Sequence, residues 1–219
     1  VNKKTRLFLP PVYPITDRLW SGLPHARQIA LLAKAGFSFA QVRENGLPDN
    51  RLWLEAKSCV AAARRLGMRL ILNNRCDMVL LLEADGVHLG GHDIPARDAR
   101  KLLGPSAIIG VSTHSVAEAL RAARGRAADY VAIGPIYSSR TKISGRRPLG
   151  PEAVAAVRRR CVVPLVAIGG ITPQNAPAVW EAGADSLAVI SAIWKGRVMK
   201  NAAQFHDAWR KYQTGKFRG

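Results

Sequence analysis

Leu165-Val-Ala-Ile-Gly-Gly170 is four apolar residues that stop in a glycine pair, and Leu187-Ala-Val-Ile-Ser191 repeats the form with a serine at its end. Toward the amino terminus the same form recurs in Tyr130–Pro135 (YVAIGP), Ile108–Ser112 (IIGVS) and Gly86–Gly90 (GVHLG). Arg69–Asn74 (RLILNN), Phe39–Arg43 (FAQVR) and Val12–Asp17 (VYPITD) complete the set. Runs this short and apolar read as strands buried on both faces, the habit of a parallel sheet covered by helices. The stretches between them are rich in Ala, Leu, Arg and Glu at helical spacing. Eight such units in 219 residues predict an α/β fold, a single compact (β/α)8 TIM barrel forming one domain over 1–219. In that fold the carboxyl ends of the strands carry the chemistry, so the polar endings are the candidate site.

Composition narrows the class. The chain is 48% hydrophobic and has no low-complexity linker, so it can bury a core without disulfides or metal. Cys59, Cys76 and Cys161 are scattered without metal-type spacing, which is the pattern of reduced thiols in a cytoplasmic protein. No apolar run approaches a membrane span, and the first residues lack a signal-peptide core, so a membrane protein is not expected. Lys and Arg number 33 against 15 Asp and Glu, a net charge of +18 that attracts anions. Much of the excess sits in Arg64-Arg65, Arg121, Arg124, Arg126 and Arg158-Arg159-Arg160, expected as solvated helix surface rather than a nucleic-acid site. Residues 213–219 are expected to form a flexible basic tail; one aromatic among basic residues there is too weak a signal for RNA.

The strand ends supply the donors. Gln41 and Arg43 are two apart and share a side of their strand. The third strand delivers Asn73 and Asn74, and the fourth holds His88 inside as a structural residue, followed by His92 and Asp93. Ser112 ends the fifth, with His114 just beyond where it could cap the following helix. A polar loop, Tyr137–Gly150, follows the sixth. Helices are expected from Pro24 to Ala35, from about Asn50 to Leu66, and from Pro173 or Gln174. Phosphate often sits against the loops after strands seven and eight of such barrels, so Gly169-Gly170 and Ile190-Ser191 suggest one anion site. Gln41, Arg43, Asn73 and the loop residues Ser139, Thr141 and Lys142 suggest a second. Two separated anion sites fit the joining or rearrangement of two phosphorylated fragments.

Taken in order, these residues resemble the thiamine phosphate synthase and TenI family over essentially the whole chain. The markers are Ile15-Thr16-Asp17, Gln41-Val-Arg43-Glu44, Asn73, Gly86-Val-His-Leu-Gly90 with Asp93, and Gly110-Val-Ser112-Thr-His114. Asp129 to Tyr137, Thr141-Lys142, Val166 to Ile171, Gly183-Ala-Asp185 and Ala188 to Ile193 continue the series. The resemblance implies an enzyme of thiamine biosynthesis, a transferase. It joins hydroxymethylpyrimidine diphosphate and thiazole phosphate into thiamine phosphate, releasing pyrophosphate with the help of Mg²⁺. Carried over, Gln41, Arg43, Asn73, Ser112, Ser139, Thr141 and Lys142 would surround pyrophosphate, with Arg43, Ser112, His114 and Lys142 as the catalytic set. Asp93, with Asn74, would hold the metal; Gly170, Ile190 and Ser191 would bind the thiazole phosphate.

Two departures from the synthase pattern matter: Asn45 stands where the family has lysine, and Asn74 where it has a metal-binding aspartate; smaller changes are Gly91 where the family usually has Gln and Ser139 where it usually has Thr. Asn for Lys removes a charge-assisted contact of roughly 1.5–3 kcal/mol, and a neutral carboxamide holds a hard cation less well than a carboxylate. The expectation is a synthase of altered or reduced activity. The alternatives are a thiazole phosphate tautomerase using His114 as its base and a non-catalytic binder of thiazole or thiamine phosphate. A homo-oligomer is compatible with the sequence.

Overall fold

Each apolar run becomes a strand that sends alternate residues to opposite sides. The computed structural model describes residues 7–138 and 147–216. The strands are β1 (Val12–Pro14), β2 (Phe39–Val42), β3 (Arg69–Asn73), β4 (Gly86–Leu89), β5 (Ile108–Thr113), β6 (Tyr130–Ile133), β7 (Leu165–Ile168) and β8 (Ser186–Val189). They form one parallel sheet in the order β1-β8-β7-β6-β5-β4-β3-β2. A parallel bridge between Ile15 and Gln41 brings its two ends together, and Thr16 N donates to Gln41 O there at 2.8 Å. The architecture is the expected (β/α)8 barrel.

Tyr13, Phe39, Ile71, Tyr130, Val166 and Ala188 meet in one buried cluster inside the ring. Their outward neighbours, such as Val131, Ile133, Leu165 and Leu187, join the larger cluster beneath the helices. The interior is crowded by its aromatic rings. Gly110 pairs with Tyr130 across β5 and β6, and a Cβ on Gly110 would lie 2.0 Å from Tyr130 Cζ. Only glycine lets that ring lie across β5.

The helices are α1 (Arg18–Ser21), α2 (His25–Lys34), α3 (Asp49–Arg65), α4 (Cys76–Leu82), α5 (Ala96–Leu103), α6 (Val116–Arg124), α7 (Gly150–Arg158), α8 (Ala176–Glu181), α9 (Ser191–Trp194) and α10 (Val198–Lys216). α1 was not anticipated; Asp17 caps it by accepting from Trp20 N at 3.0 Å, and Gly22 ends it in the left-handed conformation. α8 begins at Ala176 rather than at Pro173 or Gln174. Asn175 explains the delay, because its side-chain oxygen accepts from Thr172 N at 2.8 Å and holds a turn open.

The carboxyl terminus needs a correction. Residues 213–216, expected in a flexible tail, continue α10, while 217–219 lie outside the described residues. Tyr212 anchors this end against Trp180 and Trp209, with ring centroids 5.7 and 5.5 Å away. Packing of that kind extends a helix past the point where composition alone suggests fraying.

Candidate active site

The polar strand endings converge on a cavity of about 520 Å³ at the carboxyl ends of the strands. Gln41 on β2 lines it with Arg43 and Asn45 just beyond, Asn73 at the end of β3 with Asn74 after it, and Gly90, His92 and Asp93 after β4. Ser112 and His114 come from β5, Gly169 and Gly170 from the end of β7, and Ile190 and Ser191 from the end of β8. The structure thus gathers every expected site residue that it describes. Ser139, Thr141 and Lys142 lie outside the described residues. Among the lining residues that are described, Arg43 is the one Lys or Arg and Asp93 the one carboxylate.

Arg43 is held from behind by a network that sequence reasoning missed. Its backbone N donates to Thr16 Oγ1 at 3.3 Å, and Thr16 Oγ1 lies 2.7 Å from Nδ1 of the buried His25. His25 Nε2 donates to Glu44 at 3.1 Å, and Glu44 also accepts from Gly46 N at 2.7 Å. Burial works against the Glu44 charge, but the Gly46 and His25 hydrogen bonds prevail and hold its carboxyl below the usual range. Thr16 and Glu44 belong to marker motifs; His25 lies in a helix start and carried no signal. The Asn45 carboxamide, oriented by its hydrogen bonds, accepts from Arg43 Nη2 at 2.6 Å and donates to Glu44 O at 3.2 Å.

Across the cavity, Asn74 sits in a left-handed turn at φ 66°, a conformation that Asn tolerates better than most residues. The following Arg75 is turned away from the cavity, tied to Asp49 at 2.7 Å and Asp77 at 2.5 Å. Asp93 Oδ2 accepts from Gly90 N at 2.6 Å, which fixes the loop and leaves its other oxygen for a ligand. No group of three or more metal-ligating His, Cys, Asp or Glu exists among the described residues. One carboxylate and one carboxamide suit an Mg²⁺ ion only if substrate oxygens and water complete its shell, an arrangement that Mg²⁺ commonly adopts.

His114 is no helix cap. Ser115 caps α6 by accepting from Glu118 N at 3.2 Å, while the Glu118 carboxylate accepts from His114 N at 2.7 Å. The His114 ring instead donates from Nδ1 to Gly134 O at 3.0 Å, which leaves Nε2 as the acceptor of a neutral imidazole. His88 is buried as expected, but it also lines the cavity. His92 is exposed.

Gly169 and Gly170 have φ of 102° and 65°. A Cβ on Gly170 would lie 2.4 Å from Ser138 O, so close packing of the loop after β6 already requires glycine there. Asn175 braces this turn by donating to Gly170 O at 3.0 Å. The backbone at Gly170 and the Ser191 hydroxyl face the same cavity.

The family described as thiamine monophosphate synthase (TMP-TENI) matches residues 12–193. A thiamine-phosphate synthase of Chloroflexus aurantiacus is 40% identical over 183 residues, covering 83% of this chain and 84% of its own. One of Chlorobium luteolum is 42% identical over 171 residues, covering 78% of this chain and 80% of its own. Among solved structures, a thiamine phosphate pyrophosphorylase from Pyrococcus furiosus superposes with a TM-score of 0.82 at 30% identity, covering 92% of this chain and 96% of its own.

Proposed function

The chain belongs to the thiamine monophosphate synthase family, and we propose that it joins hydroxymethylpyrimidine diphosphate to thiazole phosphate, yielding thiamine phosphate and pyrophosphate. The observation that carries this reading is a cavity lined by donors from β2, β3, β5, β7 and β8, in a chain 40% identical to a named synthase over most of its length. The C–O bond of the pyrimidine diphosphate breaks, and its electron pair leaves with pyrophosphate. The thiazole nitrogen then gives its lone pair to the pyrimidine methylene cation, forming the C–N bond. No proton transfer is needed at the reacting atoms, so the protein's contribution is electrostatic and positional.

In this reading Arg43, Gln41, Asn73 and Ser112 surround the leaving pyrophosphate, joined by Ser139, Thr141 and Lys142. Gly170, Ile190 and Ser191 hold the thiazole phosphate on the opposite wall. Asp93 and Asn74 would hold Mg²⁺, which when bound offsets charge on the pyrophosphate oxygens. The +18 charge draws both anionic substrates toward the protein. No helix among the described residues is long and apolar enough to cross a membrane, and we place the protein in the cytoplasm.

Nothing in the relatives calls for the tautomerase alternative with His114 as base. The deciding experiment gives the purified protein both substrates with Mg²⁺ and measures pyrophosphate. Release that needs both substrates supports the synthase; thiazole phosphate binding without release in any condition leaves a binder.

A further inference from the structure

The floor of the cavity is polar in a way that the reaction does not obviously require. Five residues from five strands are linked there, four of them lining the cavity and Tyr130 fully buried beneath. Gln41 Nε2 donates to the Tyr13 hydroxyl. Tyr13 and Tyr130 hydroxyls lie 2.9 Å apart, Tyr130 Oη lies 2.9 Å from His88 Nδ1, and His88 Nε2 lies 2.8 Å from Ser112 Oγ. We infer that these bonds form one directed chain, from Gln41 through Tyr13, Tyr130 and His88 to Ser112, that fixes the His88 tautomer and turns the Ser112 proton toward the bound substrate.

Direction follows from counting protons. An amide nitrogen can only donate, so Tyr13 accepts from Gln41, and the acceptor within reach of its single buried proton is the Tyr130 oxygen at 2.9 Å. Tyr130 then has one proton left, and it goes to His88 Nδ1. A neutral imidazole that accepts at Nδ1 carries its proton on Nε2, and that proton goes to Ser112 Oγ. The Ser112 hydroxyl is left with its own proton to give, and Ser112 lines the cavity. Running the chain backwards would make the Tyr13 oxygen accept from both Gln41 and Tyr130, and its own buried proton would then have no acceptor among the bonds described. Burial raises both phenols above their ordinary range, so each keeps its proton.

The barrel is shaped around the middle of this chain. Tyr130 stands on β6 and His88 on β4, so the tyrosine must cross β5 to reach it. It does so over Gly110, where a side chain would collide with the ring, and it stacks on the imidazole at a centroid distance of 5.5 Å and 25°. Tyr130 and His88 are therefore positioning residues, and Ser112 is the group they aim. The synthase reading enters only in what Ser112 faces; the bonds themselves do not depend on it.

The test is long-range ¹⁵N–¹H correlation NMR on the full chain with ¹⁵N-labelled histidine, His88 being assigned by loss of its signals in His88→Asn. The expected spectrum has His88 protonated on Nε2 and unprotonated on Nδ1; protonation on Nδ1, or averaging of the two forms, overturns the chain. Tyr130→Phe keeps the ring over Gly110 and removes the link. His88 should then average its tautomers, and kcat for pyrophosphate release should fall roughly tenfold with KM within about twofold, the size of one neutral hydrogen bond expressed in the transition state. A single unchanged tautomer or an unchanged kcat in that variant overturns the proposal. Ser112→Ala, at the partly exposed end, should leave the tautomer as it was; a switch would mean that Ser112 sets the direction, against the proposal. If the native chain releases no pyrophosphate the synthase reading fails, while the spectrum still decides the chain.

Discussion

The Asn45 side-chain oxygen accepts a hydrogen bond from Arg43 Nη2 at 2.6 Å. Asn45, the first of the two expected departures from the synthase pattern, therefore ties down the one described cation of the cavity wall. Asn45→Lys should free that guanidinium and add a second cation beside it. The expected outcome is a rise of about ten- to a hundredfold in pyrophosphate release, the range of one additional charge-assisted hydrogen bond in the transition state. A steady-state rate that does not move would show that Asn45 is no brake.

Asn74 is a separate departure with a separate readout. Its left-handed φ of 66° is one that Asp also accepts, and its side chain is exposed. Asn74→Asp should therefore change stability by no more than about 0.5 kcal/mol. With a second carboxylate opposite Asp93, the Mg²⁺ concentration for half-maximal pyrophosphate release should fall about tenfold, since a charged oxygen holds a hard cation better than a carboxamide. An Mg²⁺ titration that overlays the native curve would remove Asn74 from the metal shell.

The thiazole phosphate wall separates packing from binding. Gly170→Ala meets both a positive φ of 65° and the Ser138 carbonyl at 2.4 Å, so the loop must move. KM for thiazole phosphate should rise by at least about tenfold, and the melting temperature should fall with it. Ser191→Ala changes no close backbone contact. It should raise the same KM severalfold, about one hydrogen bond's worth, with no loss in melting temperature. If Ser191→Ala leaves KM unchanged, the phosphate is held elsewhere.

What could be seen in the sequence, and what could not, follows from distance along the chain. The eight apolar runs became eight strands because burial on both faces leaves a local mark. Asn73, Ser112 and Gly170 were legible because a parallel barrel puts every strand's carboxyl end on one rim. α1 was missed although Asp17 and Gly22 bracket it, because four residues are too few for a hydrophobic period to register. The α6 cap was also there to read, as Ser115 followed three residues later by Glu118. The floor chain was not: Tyr13 and Tyr130 are 117 residues apart, Tyr130 and His88 are 42 apart, and nothing local couples them. His25 behind Arg43 was hidden in the same way.

Glu44 gives the network behind Arg43 a pH signature. Burial alone would raise its carboxyl, yet the Gly46 N–H and His25 outweigh that and hold it below its ordinary value. A carboxyl depressed in the folded state binds its proton more weakly there than in the unfolded chain. Its contribution to stability is therefore fully present above the unfolded-state value, and it is lost as pH falls through the lower folded-state value. Glu44→Gln removes the titration while keeping the shape. The native chain should be more stable than the variant at neutral pH, and the two should converge as acid is added from about pH 7 to about pH 3. Urea unfolding at a series of pH values reads this directly. A gap that stays constant down that series would mean that Glu44 stabilises the fold through packing alone, and the acid loss would then have to come from another carboxylate.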